Sequence, residues 1–245
     1  MSVASTVAGL TATTSEPMPT PASPAGPAGP ARARIVAAVL VVGAFTSAAF
    51  GIWHPEPGAG NSFGYDVVAP IRTSWWAWHL FGGLGVVAAA IAVALAVCLL
   101  VPARGATWAT LGALLTALGG LSFYGGVAAE GVLGAYATDP EALPAESGAT
   151  LLTFVDDNFE PVGLVLIPGL ALLAVGPLLL ALALWRSRSV PRWLPVAFAL
   201  TNVAGFPLST GVVADVVDSA FAATHVAIAW SLWHQASTNT PRSNP

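Results

Sequence analysis

Two aspartates and a histidine interrupt a long apolar run near the C-terminal end of the chain, "ADVVDSAFAATHVAIAWSLWH" (214–234). At about 100° per residue on an α-helix, Asp218 and His225 point within about 20° of each other. Asp215 lies about 60° from Asp218. Carboxylates and an imidazole along one helix can relay protons or hold a cation. Asp215, Asp218 and His225 are therefore the first candidate site.

The depth of these groups in a membrane decides how they are interpreted. His225 would lie about 14 Å below the outer end of its helix, close to the bilayer centre, and Asn202 would reach a similar depth. Because a polar group facing lipid there is costly, both side chains should point into a helix bundle. They would line a proton or cation path, or a neutral His225 would simply bond to Asn202 or a helix carbonyl.

Acidic residues near the outer ends of the helices are further candidates. Glu130 would end the third predicted span, where an acid is either solvated or part of the site. Asp156, Asp157 and Glu160 precede Pro161, and acids at that place favour capping of a helix N-terminus. They would otherwise bind a cation together with the aspartates of the last helix, although a count of carboxylates is poor evidence for calcium.

Histidines allow a haem interpretation, because bundle cytochromes ligate haem between paired histidines. His54 and His79 share a level, whereas His225 lies near the centre and His234 at the inner end. Cys98 is the single cysteine, so an internal disulfide or a cysteine-built metal site is excluded. No P-loop, GxSxG or HExxH motif occurs. We therefore expect no catalytic residues, no cofactor and no metal, with a haem-binding redox protein kept as an alternative.

The composition indicates that these residues belong to a membrane protein. Of the 245 residues, 56% are apolar and only 8% are charged, against roughly 25% charged in a soluble domain. So few charges cannot cover a water-exposed surface. The net charge of -4 provides no electrostatic footprint for nucleic acid. The expected partner is the lipid bilayer.

Apolar runs of about 20 residues, enough to cross roughly 30 Å of hydrocarbon, follow one another from Ile35. They predict an all-α polytopic bundle in three parts. Residues 1–31 form a disordered Ala/Pro/Ser/Thr-rich tail, 32–236 the transmembrane domain, and 237–245 a short polar tail. Although the first run has features of a signal peptide, its length favours a retained helix. The six predicted spans are about 35–53, 76–101, 107–128, 161–185, 193–212 and 216–235.

The arginines predict the orientation. Seven of the eight arginines fall on the side of the N-terminal tail and only Arg72 falls opposite, so both termini should be cytoplasmic. The tryptophans form two belts at the ends of the spans, with Trp75 in the outer one. The fifth and sixth spans should meet in a very short turn near Val213 to Asp215. Small residues four apart, such as Gly43, Ser47 and Gly51, predict seams of close helix packing.

The segment "ALALWRSRSVPRWLPVAFALTNVAGF" (181–206) resembles a family of bacterial six-helix integral membrane proteins carried as a domain of unknown function. Members have a basic pair before the first span, and an aromatic, "RS" and "PRWL" between the fourth and fifth. The chain departs from them at Pro195, where a glycine is usual. The resemblance implies six helices and a bacterial plasma membrane, and brings no activity. The matching residues are Arg32, Arg34, Trp185, Arg186, Ser187 and Pro191 through Leu194.

The sequence thus favours a non-enzymatic membrane protein that handles a small solute or protons through an interior lined by Asp218, His225 and Asn202. A structural or regulatory membrane partner is the first alternative. It would dock a partner through its tail and its outer acidic loop (129–160). The haem-binding redox protein is the second.

Overall fold

The computed structural model describes residues 29–55, 63–205 and 211–238, and within them the fold is an all-α bundle. The two predicted tails lie almost entirely outside the described residues. A short 3-10 turn (Ala69–Ile71) and a π-helical turn (Trp78–Gly82) join α2, α3 and α4 end to end. The helices are α1 (Pro30–Trp53), α2 (Tyr65–Val68), α3 (Arg72–Ala77), α4 (Gly83–Leu100), α5 (Ala106–Ala137), α6 (Ala145–Asp157), α7 (Glu160–Ser187), α8 (Trp193–Ala204) and α9 (Val212–Thr238).

Within the described ranges, five helical stretches are long and apolar enough to cross a membrane: α1, Tyr65–Leu100, Ala103–Ala137, α7 and α9. These helices support the prediction that the chain is a membrane protein. The fifth predicted span has no described helix long enough to cross the membrane. The helix at its place, α8, has 12 residues and covers only about 18 Å. Residues 206–210, which complete that span, lie outside the described residues. The six spans and the cytoplasmic termini stay predictions.

The predicted position of the turn before the last helix is wrong. The turn expected near Val213 to Asp215 is helical, because α9 begins at Val212 directly after Gly211, whose φ is +85°. The helix that contains the third predicted span is longer than that span, because α5 continues without a proline to Ala137. Glu130 therefore lies inside a helix. The predicted outer loop (129–160) is largely helical, since it holds the end of α5 and all of α6.

The helices define two ends of the bundle. What we call the arginine end holds the start of α1 and the end of α9, where the Arg34 guanidinium lies 5.5 Å from the Trp233 ring centroid. The opposite end, the acidic end, holds the end of α1 and the start of α9. There Arg72 and Asp139 form an ion pair of 2.7 Å. The arginines at the arginine end, within the described residues, are Arg32, Arg34, Arg104, Arg186, Arg188 and Arg192.

Glycines bring the long helices into backbone contact, as the predicted seams require. A β-carbon at Gly43 would lie 2.6 Å from the main-chain nitrogen of Ala89. One at Gly176 would lie 2.6 Å from the main-chain nitrogen of Thr116, so α7 packs directly on α5. Such close approach maximises dispersion contacts where lipid supplies no hydrophobic driving force.

The apolar core lies mainly in the half of the bundle next to the arginine end. All the long helices contribute to it, and its largest side chains are completely or almost completely buried. The other half is packed differently, because it contains a cavity. The core members at its centre include Leu40, Val97, Leu180, Leu184, Phe198 and Ile228.

Candidate functional site

A cavity of about 470 Å³ lies between the helices in the acidic half of the bundle. Its lining runs along α9 from Asp218 to His225, about 10 Å, and along α5 from Glu130 to Thr116, about 21 Å. Asn202 lines it from α8. The structure therefore brings four of the five predicted site residues to one cavity. Asp215 is not among the lining residues.

His225 points into the bundle as its helix position predicts. The side chain is 1% exposed, and Ala222 and Ala229 of the same strip are buried as well. Its Nδ1 donates to the main-chain oxygen of Phe221 at 2.8 Å, and its ring centroid lies 3.9 Å from that of Phe221. The helix carbonyl, and not Asn202, is therefore the hydrogen-bond partner of Nδ1.

Asn202 is held by its own helix. Its Nδ2 donates to the main-chain oxygen of Phe198 at 2.8 Å. Next to Asn202 in the sequence, Thr201 lies with its hydroxyl 3.3 Å from that of Thr224 and links α8 to α9. Asn202 thus lines the cavity without bonding to His225, because both side chains find carbonyls on the preceding turn of their own helices.

Asp218 is positioned by a glycine on the neighbouring helix. Gly51 of α1 has no side chain, and a β-carbon there would come within 2.8 Å of the Asp218 carboxyl carbon. The carboxylate therefore occupies the space beside the α1 backbone. The predicted seam residue Gly51 has a second role, since it makes room for an acid that lines the cavity.

The cavity is also lined by two histidines that the site prediction did not include. His79 lies in the π-helical turn and is completely buried. His54 follows α1, and the two ring centroids are 5.3 Å apart. The sequence signal for His79 was the segment "WWAWH" (75–79), in which the histidine lies close to three tryptophans. Trp75, predicted for the outer belt, is instead 1% exposed and packs 4.1 Å from His79, centroid to centroid.

His79 presents a free acceptor to the interior. Its Nδ1 donates to the main-chain oxygen of Trp75 at 2.7 Å, so that its Nε2 carries the lone pair. This Nε2 is buried and has no hydrogen-bond partner, and the same holds for Oγ1 of Thr116. A buried polar atom without a partner costs about 1–3 kcal/mol. Both residues line the cavity, where a donor group would satisfy them.

His54 lies in an environment that favours the neutral form of its imidazole. Burial lowers the pKa of its imidazole below 6.5, and the hydrogen bond with the Pro55 oxygen at 3.3 Å offsets only part of this effect. The proton on Nδ1 is directed to that oxygen, which leaves Nε2 as an acceptor. The lower pKa reflects the cost of removing a charged imidazolium from water.

The haem interpretation does not fit this arrangement. Axial histidines lie on opposite faces of the macrocycle, but His54 and His79 contact each other directly, with a centroid separation typical of a ring–ring contact. The two rings are too close together for a porphyrin to lie between them. Within the ranges that the structure describes, no group of three or more His, Cys, Asp or Glu could hold a metal ion.

Of the three acids predicted to favour a helix N-terminus, Glu160 lies in the first turn of α7, and none of the three lines the cavity. Asp156 and Asp157 end α6, and α7 begins at Glu160 without a side-chain hydrogen bond at its cap. The pKa of Asp139, which lies outside the cavity, is explained by its neighbours. The Glu141 main-chain N–H at 3.0 Å, together with the Arg72 guanidinium, holds the pKa of Asp139 below its usual value.

The charge of the cavity follows from the acidic and basic residues that line it. Asp218 and Glu130 are the carboxylic acids among its described lining residues, and no arginine lines it. The chain contains no lysine. Aromatic and aliphatic side chains form most of the remaining wall. The site is therefore an apolar cavity with neutral or negative polar groups.

Comparison with known proteins returns no match to a protein-family model, a curated protein or a solved structure. The resemblance to bacterial six-helix membrane proteins stays a prediction, as does the interpretation as a structural or regulatory partner.

Proposed function

We propose that the chain is a multi-pass protein of a bacterial plasma membrane that binds a small solute in this cavity and moves it across the bilayer together with protons. The observation that carries the proposal is the cavity itself. Its volume of about 470 Å³ lies within the roughly 300–1,000 Å³ of small-molecule sites. Convergent polar groups in an otherwise apolar wall are the usual composition of such sites.

The asymmetry of the bundle supports movement as well as binding. The cavity reaches the acidic end at His54, whereas the half next to the arginine end is a packed core that includes Leu40, Val97 and Phe198. A cavity in one half of the bundle and a packed core in the other would suit one state of an alternating-access cycle. The second state would open the packed half.

Groups that can exchange protons line the cavity along its depth. They are His54, His79 and Glu130 nearer the acidic end, and Asp218 and His225 on α9. Ionisable residues inside a membrane are costly, and they recur in proton relays. His225 is the deepest of those on α9, so it separates the cavity from the packed core below.

Full-length protein in proteoliposomes with an internal pH dye tests the proposal. A panel of small amines, alcohols and carboxylates is added outside, and solute-dependent changes of internal pH are recorded. The wild-type protein should respond to at least one solute, and the His225→Ala variant should not. The His234→Ala variant is the matched control, because His234 is exposed on the same helix and should leave the response intact.

The His225→Asn variant separates a proton role from a packing role. Its amide can still donate to the Phe221 oxygen, but it takes up no proton. We expect it to fold with wild-type yield and to lose the pH response. Wild-type solute and proton movement in this variant would remove proton transfer through His225 from the proposal.

A further inference from the structure

We propose that the solute is a lipophilic organic cation, an ammonium group attached to an aromatic or branched apolar body, held with its charge beside Asp218 and Glu130. This inference rests on the proposed function, since it names the chemical class of the solute that occupies the cavity. Four properties of the described lining lead to it: charge, hydrogen-bonding character, apolar surface and size.

The charges of the lining select against anions. Its acids are Asp218 and Glu130, and no arginine is present among its described residues to balance them. Six of the arginines in the described ranges lie at the arginine end, and Arg72 is paired with Asp139. An anion would enter a site of low dielectric constant without any fixed positive partner, whereas a cation would be attracted to the carboxylates.

The free hydrogen-bonding atoms of the lining would be satisfied by a ligand that donates hydrogen bonds. The main chain accepts the Nδ1 protons of His54, His79 and His225, so each ring offers its other nitrogen as an acceptor. Nε2 of His79 is buried and unpaired, as is the Thr116 hydroxyl. An alkylammonium group has up to three N–H donors and no acceptor. It is therefore complementary to this set, whereas a carboxylate would meet acceptors.

The apolar wall selects against a bare metal ion. Calcium and magnesium prefer six or more oxygen ligands, and most of this lining is aliphatic or aromatic. Phe50, Phe63, Phe123 and Phe221 line the cavity. Their ring faces attract an organic cation by electrostatics and also pack against its apolar body. The volume fits a small organic molecule better than a hydrated ion.

Three probes of similar shape test the charge class: phenylpropylammonium, phenylpropanol and phenylpropanoate. Binding to the full chain in neutral detergent is measured by titration calorimetry, with protein-free micelles as the blank. We expect saturable binding of the ammonium probe, at least about tenfold weaker binding of the alcohol, and none of the carboxylate. Binding of the carboxylate with an affinity equal to that of the amine would overturn the inference.

Two neighbouring aspartates on α9 provide a matched pair of variants. Asp218→Asn removes the charge that lines the cavity, and Asp215→Asn removes a charge three residues away that does not line it. Asp218→Asn should weaken binding of the ammonium probe about tenfold or more and leave the alcohol unchanged, whereas Asp215→Asn should have a much smaller effect. Equal effects of the two variants would contradict the inference.

Glu130→Gln is the second variant, for the case in which Asp218→Asn fails to fold. This variant should also selectively weaken binding of the ammonium probe. If the alcohol binds best and drives the response in proteoliposomes, the charge class is wrong and the proposed function stands. If none of the probes binds and no solute of the panel drives a response, both proposals are overturned.

Discussion

Asp218 on α9 lies against the backbone of Gly51 on α1, so closely that a β-carbon at position 51 would come within 2.8 Å of its carboxyl carbon. The two residues are far apart in the sequence, and their contact places a carboxylate at the cavity. A glycine at this position is therefore part of the site, although it carries no functional group.

Gly51→Ala should displace the Asp218 side chain from its place beside α1. We expect the affinity for phenylpropylammonium to fall by about tenfold, which corresponds to roughly 1.4 kcal/mol. Titration calorimetry of the purified variant measures this. Gly125→Ala is the control, because a β-carbon there would make only an ordinary contact, 3.6 Å from Val165. An unchanged affinity in Gly51→Ala would show that the position of Asp218 is unimportant for binding.

The contact between α5 and α7 should be sensitive to one methyl group. Gly176→Ala places a β-carbon 2.6 Å from the main-chain nitrogen of Thr116, and neither backbone can yield without moving its helix. We expect a loss of about 1–3 kcal/mol, which is the usual cost of overpacking. The apparent melting temperature in detergent, followed by tryptophan fluorescence, should fall clearly below that of Gly125→Ala. Equal melting temperatures would contradict the packing shown by the structure.

The stability of the protein should fall as the pH drops through the histidine range, in part through His54. Burial lowers the pKa of His54 in the folded state below its unfolded value of 6.5. Above that value the ring is neutral in both states, and the stability is complete. As the pH falls from the unfolded pKa toward the lower folded pKa, the unfolded chain takes up its proton first, and stability is lost.

His54→Phe keeps an aromatic ring beside Phe50 and Phe63 and removes the titration. Melting temperatures measured from about pH 7.5 to about pH 5 should decline less steeply in this variant than in the wild type. His234→Ala is the comparison, since His234 is exposed and should leave the slope unchanged. The same slope in His54→Phe and the wild type would mean that the His54 ring titrates equally in both states.

The orientation of the bundle can be read by labelling introduced cysteines. Cys98→Ala removes the natural cysteine, and exposed serines at the two ends serve as reporters: Ser147 on α6 and Ser237 near the end of α9. A membrane-impermeant maleimide should label Ser147→Cys in intact cells, and Ser237→Cys only after permeabilisation, because the positive-inside rule predicts that the arginine end faces the cytoplasm. The reverse pattern would invert the orientation.

The class of the protein and most of its helices were predictable from the sequence, because they depend on local quantities. Hydropathy and run length identify the apolar helices. The spacing of Asp218, Ala222, His225 and Ala229 identifies the buried face of α9, since the helical period sets it. Element ends were less reliable: α5 continues past Gly131 and Gly134 to Ala137, and the apolar composition alone did not indicate where it stops.

The site itself was decided by the tertiary structure. His54 after α1 and His79 in a π-helical turn line the same cavity as Glu130 and Asp218 only because five long helices pack around it. Asp215 carries the same carboxylate as Asp218, yet it does not line the cavity, since only Asp218 lies opposite Gly51. Periodicity orders residues around one helix, whereas the neighbour that each face meets depends on how glycines let the other helices approach.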